Sequence, residues 1–298
     1  MVRHETAARD GVAMRRSALA LTCAGIALAA QAAPPQRVLV VCAPGSPGTT
    51  LQAQATMDGF AQSAAAAAGW PAGSLSAIYF ENLESGVARL REPDAALAMV
   101  SLPFFLRYEK ELALRPRLEA HQESGAREVW SLVAKKDAVG SAAALAGWEI
   151  TGGPGFYPEF VRGAILADWG RIPNDTRISF TSRALTALRR AATGEKLAVI
   201  LGLQQTGAVP ELPFGDDLVV VTSSAPLPGG YLCTVGDRLG ESEAGALGRL
   251  IGALEKLDKS DEGRATLQSL MMARFAPVDA AALSSARKAT GSPAGAAH

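Results

Sequence analysis

Asp94-Ala-Ala-Leu-Ala-Met-Val-Ser101 and Glu195-Lys-Leu-Ala-Val-Ile-Leu-Gly202 decide the fold. Each is a short apolar run opened by an acidic residue and closed by a small one, the length of a strand rather than of a helix. Apolar residues without alternation mean that both faces are covered, as in a parallel sheet. Upstream of the first run, Arg37-Val-Leu-Val-Val-Cys42 reads as another buried strand. A helix is expected over 49–68, with Ala53, Met57, Phe60, Ala61 and Ala64 on one face, then a strand over 76–80 and a helix over Leu83–Arg91. Around the second run the order repeats: strand 148–151, helix 158–169, strand Arg177–Phe180, helix 183–192, strand Leu197–Leu201. Two β-α-β-α-β units in tandem imply two α/β lobes, each a doubly wound, mostly parallel sheet closed by right-handed crossovers.

Residues 127–135 (Arg-Glu-Val-Trp-Ser-Leu-Val-Ala-Lys) alternate like a strand, as do 218–221 and 231–235, with Ser223-Ser-Ala-Pro-Leu-Pro-Gly-Gly230 between the last two. The first and last of these are expected to cross between lobes. Leu247, Leu250, Ile251 and Leu254 make a helical stripe, and 265–272 reads as a further helix; both are expected to pack on the first lobe. The expected division is a leader over 1–32, lobe one over 33–133 and 231–289, lobe two over 134–230, and a disordered tail over 290–298, rich in Ala, Gly, Ser and Pro.

The first residues carry the leader. Arg15 and Arg16 precede an uncharged apolar run over 18–30, followed by Ala30-Gln31-Ala32 and then Pro34-Pro35. This is the basic, apolar, small-residue order of a secretory signal peptide, too short for a permanent span of about 20 residues. Cleavage after Ala32 is expected, with Met14 as the start and 1–13 as an extension. Lipidation at Cys23 is disfavoured by Thr22 before it, and Arg15-Arg16 carries no other part of a twin-arginine pattern, so a Sec-type leader is expected. The mature protein is expected in the periplasm or secreted, with no stable membrane insertion. Removing 1–32 takes four basic and two acidic side chains from the 29 of each, a net charge of about −2 that points to no nucleic acid and no anionic membrane. Only Cys42 and Cys233 remain, which in an oxidising compartment invites one disulfide.

The tandem units resemble the type 2 periplasmic binding proteins, and within them the phosphate/phosphite/phosphonate-binding group that serves ABC transporters. The resemblance rests on four stretches: 95–107 (Ala-Ala-Leu-Ala-Met-Val-Ser-Leu-Pro-Phe-Phe-Leu-Arg), 145–157 around Gly152-Gly-Pro-Gly155, 184–201, and 221–235. In the last, Thr222-Ser-Ser-Ala-Pro-Leu-Pro-Gly-Gly230 looks like the family's return crossing. The resemblance implies a two-lobed fold joined by two crossing strands and a monomer without a cofactor. It further implies capture of a small ligand, such as a phosphate- or phosphonate-like oxyanion, for delivery to an inner-membrane ABC permease. The alternative is a sensing protein that reports to a sensor kinase; an enzyme on this fold is a distant third. The resemblance also bears on the cysteines. The family's return strand lies beyond the third strand, which sets Cys42 and Cys233 two strand spacings apart, roughly 10 Å. A disulfide tolerates about 7 Å between Cα atoms, so two buried free thiols are expected.

Open α/β sheets bind ligands beyond the carboxyl ends of their strands. This nominates Ser46, Thr49 and Thr50 on the first loop and Ser101 after the third strand. In lobe two it nominates Gly153, Gly155 and Tyr157, then Thr181 beside Ser182, then Gln204 beside Gln205. Hydroxyls and backbone N–H groups at helix starts can hold an anion without lysine or arginine. The same residue types are also ordinary turn formers, and Trp130 and Tyr231 either line the cleft or pack in the hinge. The loop Gly153-Pro-Gly-Phe-Tyr-Pro158 is bulkier and poorer in hydroxyls than phosphonate binders carry. No enzyme is expected. After the leader only His121 and His298 remain, and His121 falls in 117–122, a strand or edge loop where a solvated histidine is unremarkable. No Gly-x-Ser-x-Gly, His-Glu-x-x-His or Cys-x-x-Cys is present, and Asp216-Asp217 reads as a solvated turn.

Overall fold

Arg37–Cys42 (β1) lies between parallel neighbours because five of its six residues are apolar enough to be buried. The computed structural model describes residues 36–45, 50–240 and 243–291; the expected leader, cleavage site and most of the tail fall outside them. After β1 the chain forms α1 (Thr50–Ala67), β2 (Leu75–Phe80), α2 (Leu83–Arg91) and β3 (Ala95–Ser101). Helix α1 buries Met57, Phe60, Ala61, Ala64 and Ala65, one face at helical spacing. Helix α2 starts where the Asn82 side chain accepts from the Ser85 N–H at 2.9 Å, with Glu84 in its first turn and Arg89 and Arg91 in its last, each charge matched to the helix dipole. Both β2 and β3 pair with β1 in parallel. Next come α3 (Leu102–Tyr108) and β4 (Leu114–Gln122).

The expected strand over 127–135 is two strands: β5 (Arg127–Glu128) and β6 (Ser131–Lys135). Then follow β7 (Glu149–Gly152), a 3-10 turn (Gly153–Phe156), α4 (Pro158–Phe160), β8 (Arg177–Phe180), α5 (Ala184–Ala192), β9 (Leu197–Leu201), α6 (Leu203–Gly207) and β10 (Leu218–Ser223). The return runs through β11 (Leu227–Pro228) into β12 (Gly230–Val235), α7 (Ala244–Leu254), α8 (Asp261–Ser269), β13 (Met272–Ala276) and α9 (Ala280–Ala289).

The sheets are ordered β13-β4-β12-β3-β1-β2 and β10-β6-β9-β7-β8, with β11 and β5 as a separate ribbon. Each sheet has a parallel core of the same internal order, β3-β1-β2 in one and β9-β7-β8 in the other. The strands added outside each core are antiparallel. The crossings between sheets are the short β5 and β11, paired antiparallel as Leu227↔Glu128 and Pro228↔Arg127; β6 and β12 belong wholly to their sheets. One face of the first sheet packs α1, α7 and α8 through Phe60, Leu97, Leu232, Leu254 and Leu267. Its other face contributes Val40, Val100 and Phe105 to a core that continues through Tyr231 into Leu132, Ile150 and Phe160 of the second. Cys42 and Cys233 are buried free thiols on β1 and β12 with β3 between them. Burial pushes the Cys42 thiol up to about 12.

Three further segments depart from the sequence reading. The helix expected over 158–169 is one α-turn, a π-turn over Val161–Ile165 and a 3-10 turn over Ala167–Trp169. The helix expected over 265–272 runs over Asp261–Ser269, and Met272 opens a strand on β4; Met271, at φ +56°, makes the turn between them. His121 is in the interior strand β4 and buried, with Nε2 3.3 Å from Glu119 and Nδ1 3.3 Å from Arg274 Nε. It is not a solvated edge histidine.

Candidate functional site

The carboxyl ends of β1, β3, β7 and β9 open onto one cavity of about 510 Å³. Pro44 and Gly45 follow β1, Ser101 ends β3, Gly153 follows β7, and Gly202, Leu203 and Gln204 follow β9; all stand on its wall. The two sheets meet directly at the rim. Gly45 has φ +84°, and a Cβ built on it would come 2.9 Å from the Gly153 Cα, so the contact between the loops is backbone to backbone. Glu128 and Trp130, on either side of the step from the hinge ribbon into β6, complete the wall on the crossing side.

The hinge is tied down from outside the cavity. Arg127 on β5 donates to the buried Glu119 of β4 at 2.9 Å and to Asp279, the N-cap of α9, at 2.6 Å. Helix α9 packs on β11 and on the Val161–Ile165 turn. It approaches so closely that a Cβ on Gly163 would fall 1.9 Å from the Ala289 carbonyl oxygen.

Of the residues nominated from sequence, Ser101, Gly153 and Gln204 line the cavity. Ser46 and Thr49 lie outside the described residues. The other four are absent from the described wall. Thr50 opens α1, and its N–H (3.0 Å) and hydroxyl (2.9 Å) both donate to Glu81. Gly155 sits against the Ser179 carbonyl, where a Cβ would come to 1.9 Å. Tyr157 is buried in the shared core. Thr181 accepts the Arg183 N–H at 3.1 Å just before α5. Trp130 is on the wall, whereas Tyr231 is fully buried against Phe105, its ring 5.1 Å away, and packs in the hinge.

Sequence reasoning passed over Glu128. The alternation Arg127-Glu-Val-Trp130 puts Glu128 and Trp130 on one side, which was the available signal. Its Oε1 accepts the Leu203 N–H at 2.6 Å. Burial raises its carboxyl above the usual range, opposed by the N–H groups of Leu203 and Val129. Glu81 goes the other way: its own backbone N–H and the Thr50 hydroxyl hold it low. The rest of the wall includes apolar residues (Ala53, Met57, Leu270, Met271), amides (Gln52, Gln122, Gln205), hydroxyls (Thr56, Ser124) and a second carboxylate, Glu123. Among the described residues no group of three or more His, Cys, Asp or Glu is placed to hold a metal, and no helix is long and apolar enough to cross a membrane.

No protein-family model and no curated protein matches the chain. Solved structures do. A Xanthomonas citri protein with bound ATP is similar at a TM-score of 0.65 and 13% identity, covering 86% of this chain and 97% of its own. The binding-protein component of an ABC phosphonate transporter from Pseudomonas aeruginosa gives 0.60 at 15% identity, with 85% of each chain covered. PhnD1 from Prochlorococcus marinus, in complex with methylphosphonate, gives 0.58 at 13%, covering 86% and 99%. At such identities the likeness is one of fold. With its two parallel cores, its hinge ribbon and a cavity between the strand ends, this chain has the two-lobed α/β fold of the type 2 periplasmic binding proteins.

Proposed function

We propose that this chain is an extracytoplasmic solute-binding protein, which captures a small ligand between its lobes and hands it to an inner-membrane ABC transporter. The observation that carries the proposal is that the strand ends of both parallel cores share one cavity, bridged by a two-strand ribbon. Ligands of open α/β sheets bind at such ends, and a ribbon hinge lets the lobes close on them. In this reading residues 33–133 and 231–289 move as one body and 134–230 as the other, after export on the leader over 1–32.

Catalysis is not part of the proposal. The described wall carries no histidine, lysine or arginine, and His121 is occupied by Glu119 and Arg274, so no histidine stands beside a wall hydroxyl as in a Ser-His pair. Phosphonates belong to two of the structural neighbours. In this chain the Leu203 N–H on the cavity wall, a donor for such an anion, is taken by Glu128, which weakens the transfer of that ligand class along with the fold.

The test is a thermal-stability screen of the purified protein against a broad library of metabolite-sized solutes. A ligand that binds only the folded state at a hundredfold excess over Kd stabilises it by about 2.7 kcal/mol. A raised melting point with at least one solute, accompanied by a smaller radius of gyration in X-ray scattering, is the expected result. A flat response across the library counts against a binding function. Loss of uptake of the hit solute in a deletion strain separates transport from sensing.

A further inference from the structure

The cavity wall has one sign of charge. Glu123 and Glu128 are its only charged side chains among the described residues. One backbone donor on the wall is already taken: Glu128 accepts the Leu203 N–H at the start of α6 at 2.6 Å. An oxyanion entering the cleft at this point would have to displace the carboxylate or lie beside it. A unit charge about 6 Å from Glu128, at the effective dielectric of a protein interior near the surface, changes affinity by about a hundredfold, favourably for a cation and unfavourably for an anion.

The remaining wall suits the same kind of ligand. Trp130 stands two residues from Glu128 and lines the same cavity, and an indole face attracts an ammonium by its quadrupole. Met57, Leu203 and Met271 supply adaptable apolar surface. Met271 and Leu203 are also among the exposed large apolar residues of the chain, at 51% and 37%, so the cleft presents uncovered apolar surface that a ligand body would cover.

We propose that the cleft takes a solute carrying an ammonium group on an apolar body, and discriminates against phosphorus oxyanions. The inference rests on the cavity being the ligand site, and it assigns Glu128, with Trp130, to the ammonium.

Matched probes test it: 2-phenylethylamine, 2-phenylethanol and 2-phenylethylphosphonate, and the butyl series with the same three head groups, measured by calorimetry and by thermal shift on the whole protein. In each series the amine is expected to bind at least tenfold more tightly than the phosphonate. Glu128→Gln keeps an acceptor for the Leu203 N–H, so the fold survives, and the amine-to-phosphonate ratio is expected to drop at least tenfold. A phosphonate that binds more tightly than its amine, an absence of binding by every amine, or a ratio unchanged in Glu128→Gln overturns the inference. If no amine binds while some other solute in the library does, the inference fails and the binding function stands.

Discussion

The two lobes begin with the same plan and finish it differently. In the first, β1 feeds a regular 18-residue helix, α1, whose buried residues keep helical spacing throughout. In the second, the segment after β7 at the same point of the repeat breaks into a 3-10 turn, three α-helical residues, a π-turn and another 3-10 turn. Composition does not explain the contrast, since Glu159, Phe160, Arg162, Ala164, Ile165 and Leu166 would all sit comfortably in a helix. The difference lies in what packs on top. Helix α1 meets α7 and α8 side chain to side chain, whereas the second segment receives α9 backbone to backbone at Gly163. It is also pulled toward the following loop by Arg162, which donates to the carbonyls of Ile172, Pro173 and Thr176. Local pattern governs a helix whose contacts are made by side chains; a neighbouring backbone can override it.

Substitutions can break or sharpen this contrast. The largest effect is expected in the first lobe. Phe60 is buried in α1 and stacked on Phe275 with ring centroids 6.2 Å apart, and Phe60→Ala should lose about 4 kcal/mol of stability by urea titration. Next is Gly163→Ala, where the new Cβ meets the Ala289 carbonyl; a loss of about 3 kcal/mol is expected. Hydrogen exchange should show the opening confined to α9 and the 161–165 turn. The mirror experiment is Gly59→Ala in α1. Gly59 is exposed, with nothing within 4 Å of an added Cβ, so the protein should gain about 0.7 kcal/mol. A destabilised Gly59→Ala would refute the view of α1 as a locally determined helix.

The smallest effect concerns the carboxylates at the two helix starts. Glu81 titrates below its ordinary range in the folded chain, so its contribution is full above the unfolded pKa and is lost as pH falls through the folded one. Glu128 titrates above the ordinary range, so its contribution has the opposite sign: folding gains from its protonation as pH falls through the raised value. Urea midpoints measured from pH 7 down to pH 4 should therefore fall less steeply in Glu81→Gln than in the parent and more steeply in Glu128→Gln. Parallel curves for the two variants would remove the electrostatic difference between the helix starts.

Much of the fold was legible. Arg37–Cys42, Leu83–Arg91, Arg177–Phe180 and Leu197–Leu201 have the bounds predicted for them; for Arg37–Cys42 and Leu197–Leu201 this is because both faces of a parallel core strand are buried and the chain has to say so residue by residue. Helix α9 was legible too, since Asp279 accepts the Ala282 N–H as its cap, though the sequence reading did not draw it. Strand β13 was not legible: Leu267, Leu270 and Met271 continue the spacing of α8, and only pairing of Met272–Ala276 with β4 turns the chain at Met271. The site divided in the same way. Ser101, Gly153 and Gln204 follow from strand ends and the Thr181 turn onto the Arg183 N–H is local, whereas the diversion of Thr50 to Glu81 depends on a partner met after folding.

By itself, then, the sequence determined the three parallel strands of each core and the loops at their carboxyl ends, because periodicity and burial are local properties of a strand or helix. Tertiary structure alone decided that the two sheets meet at Gly45 and Gly153, that β5 and β11 rather than longer strands make the crossing, and that Glu81 and Glu128 occupy the starts of α1 and α6. Those features join residues far apart in the chain through backbone approach and hydrogen bonding, and neither leaves a period in the sequence.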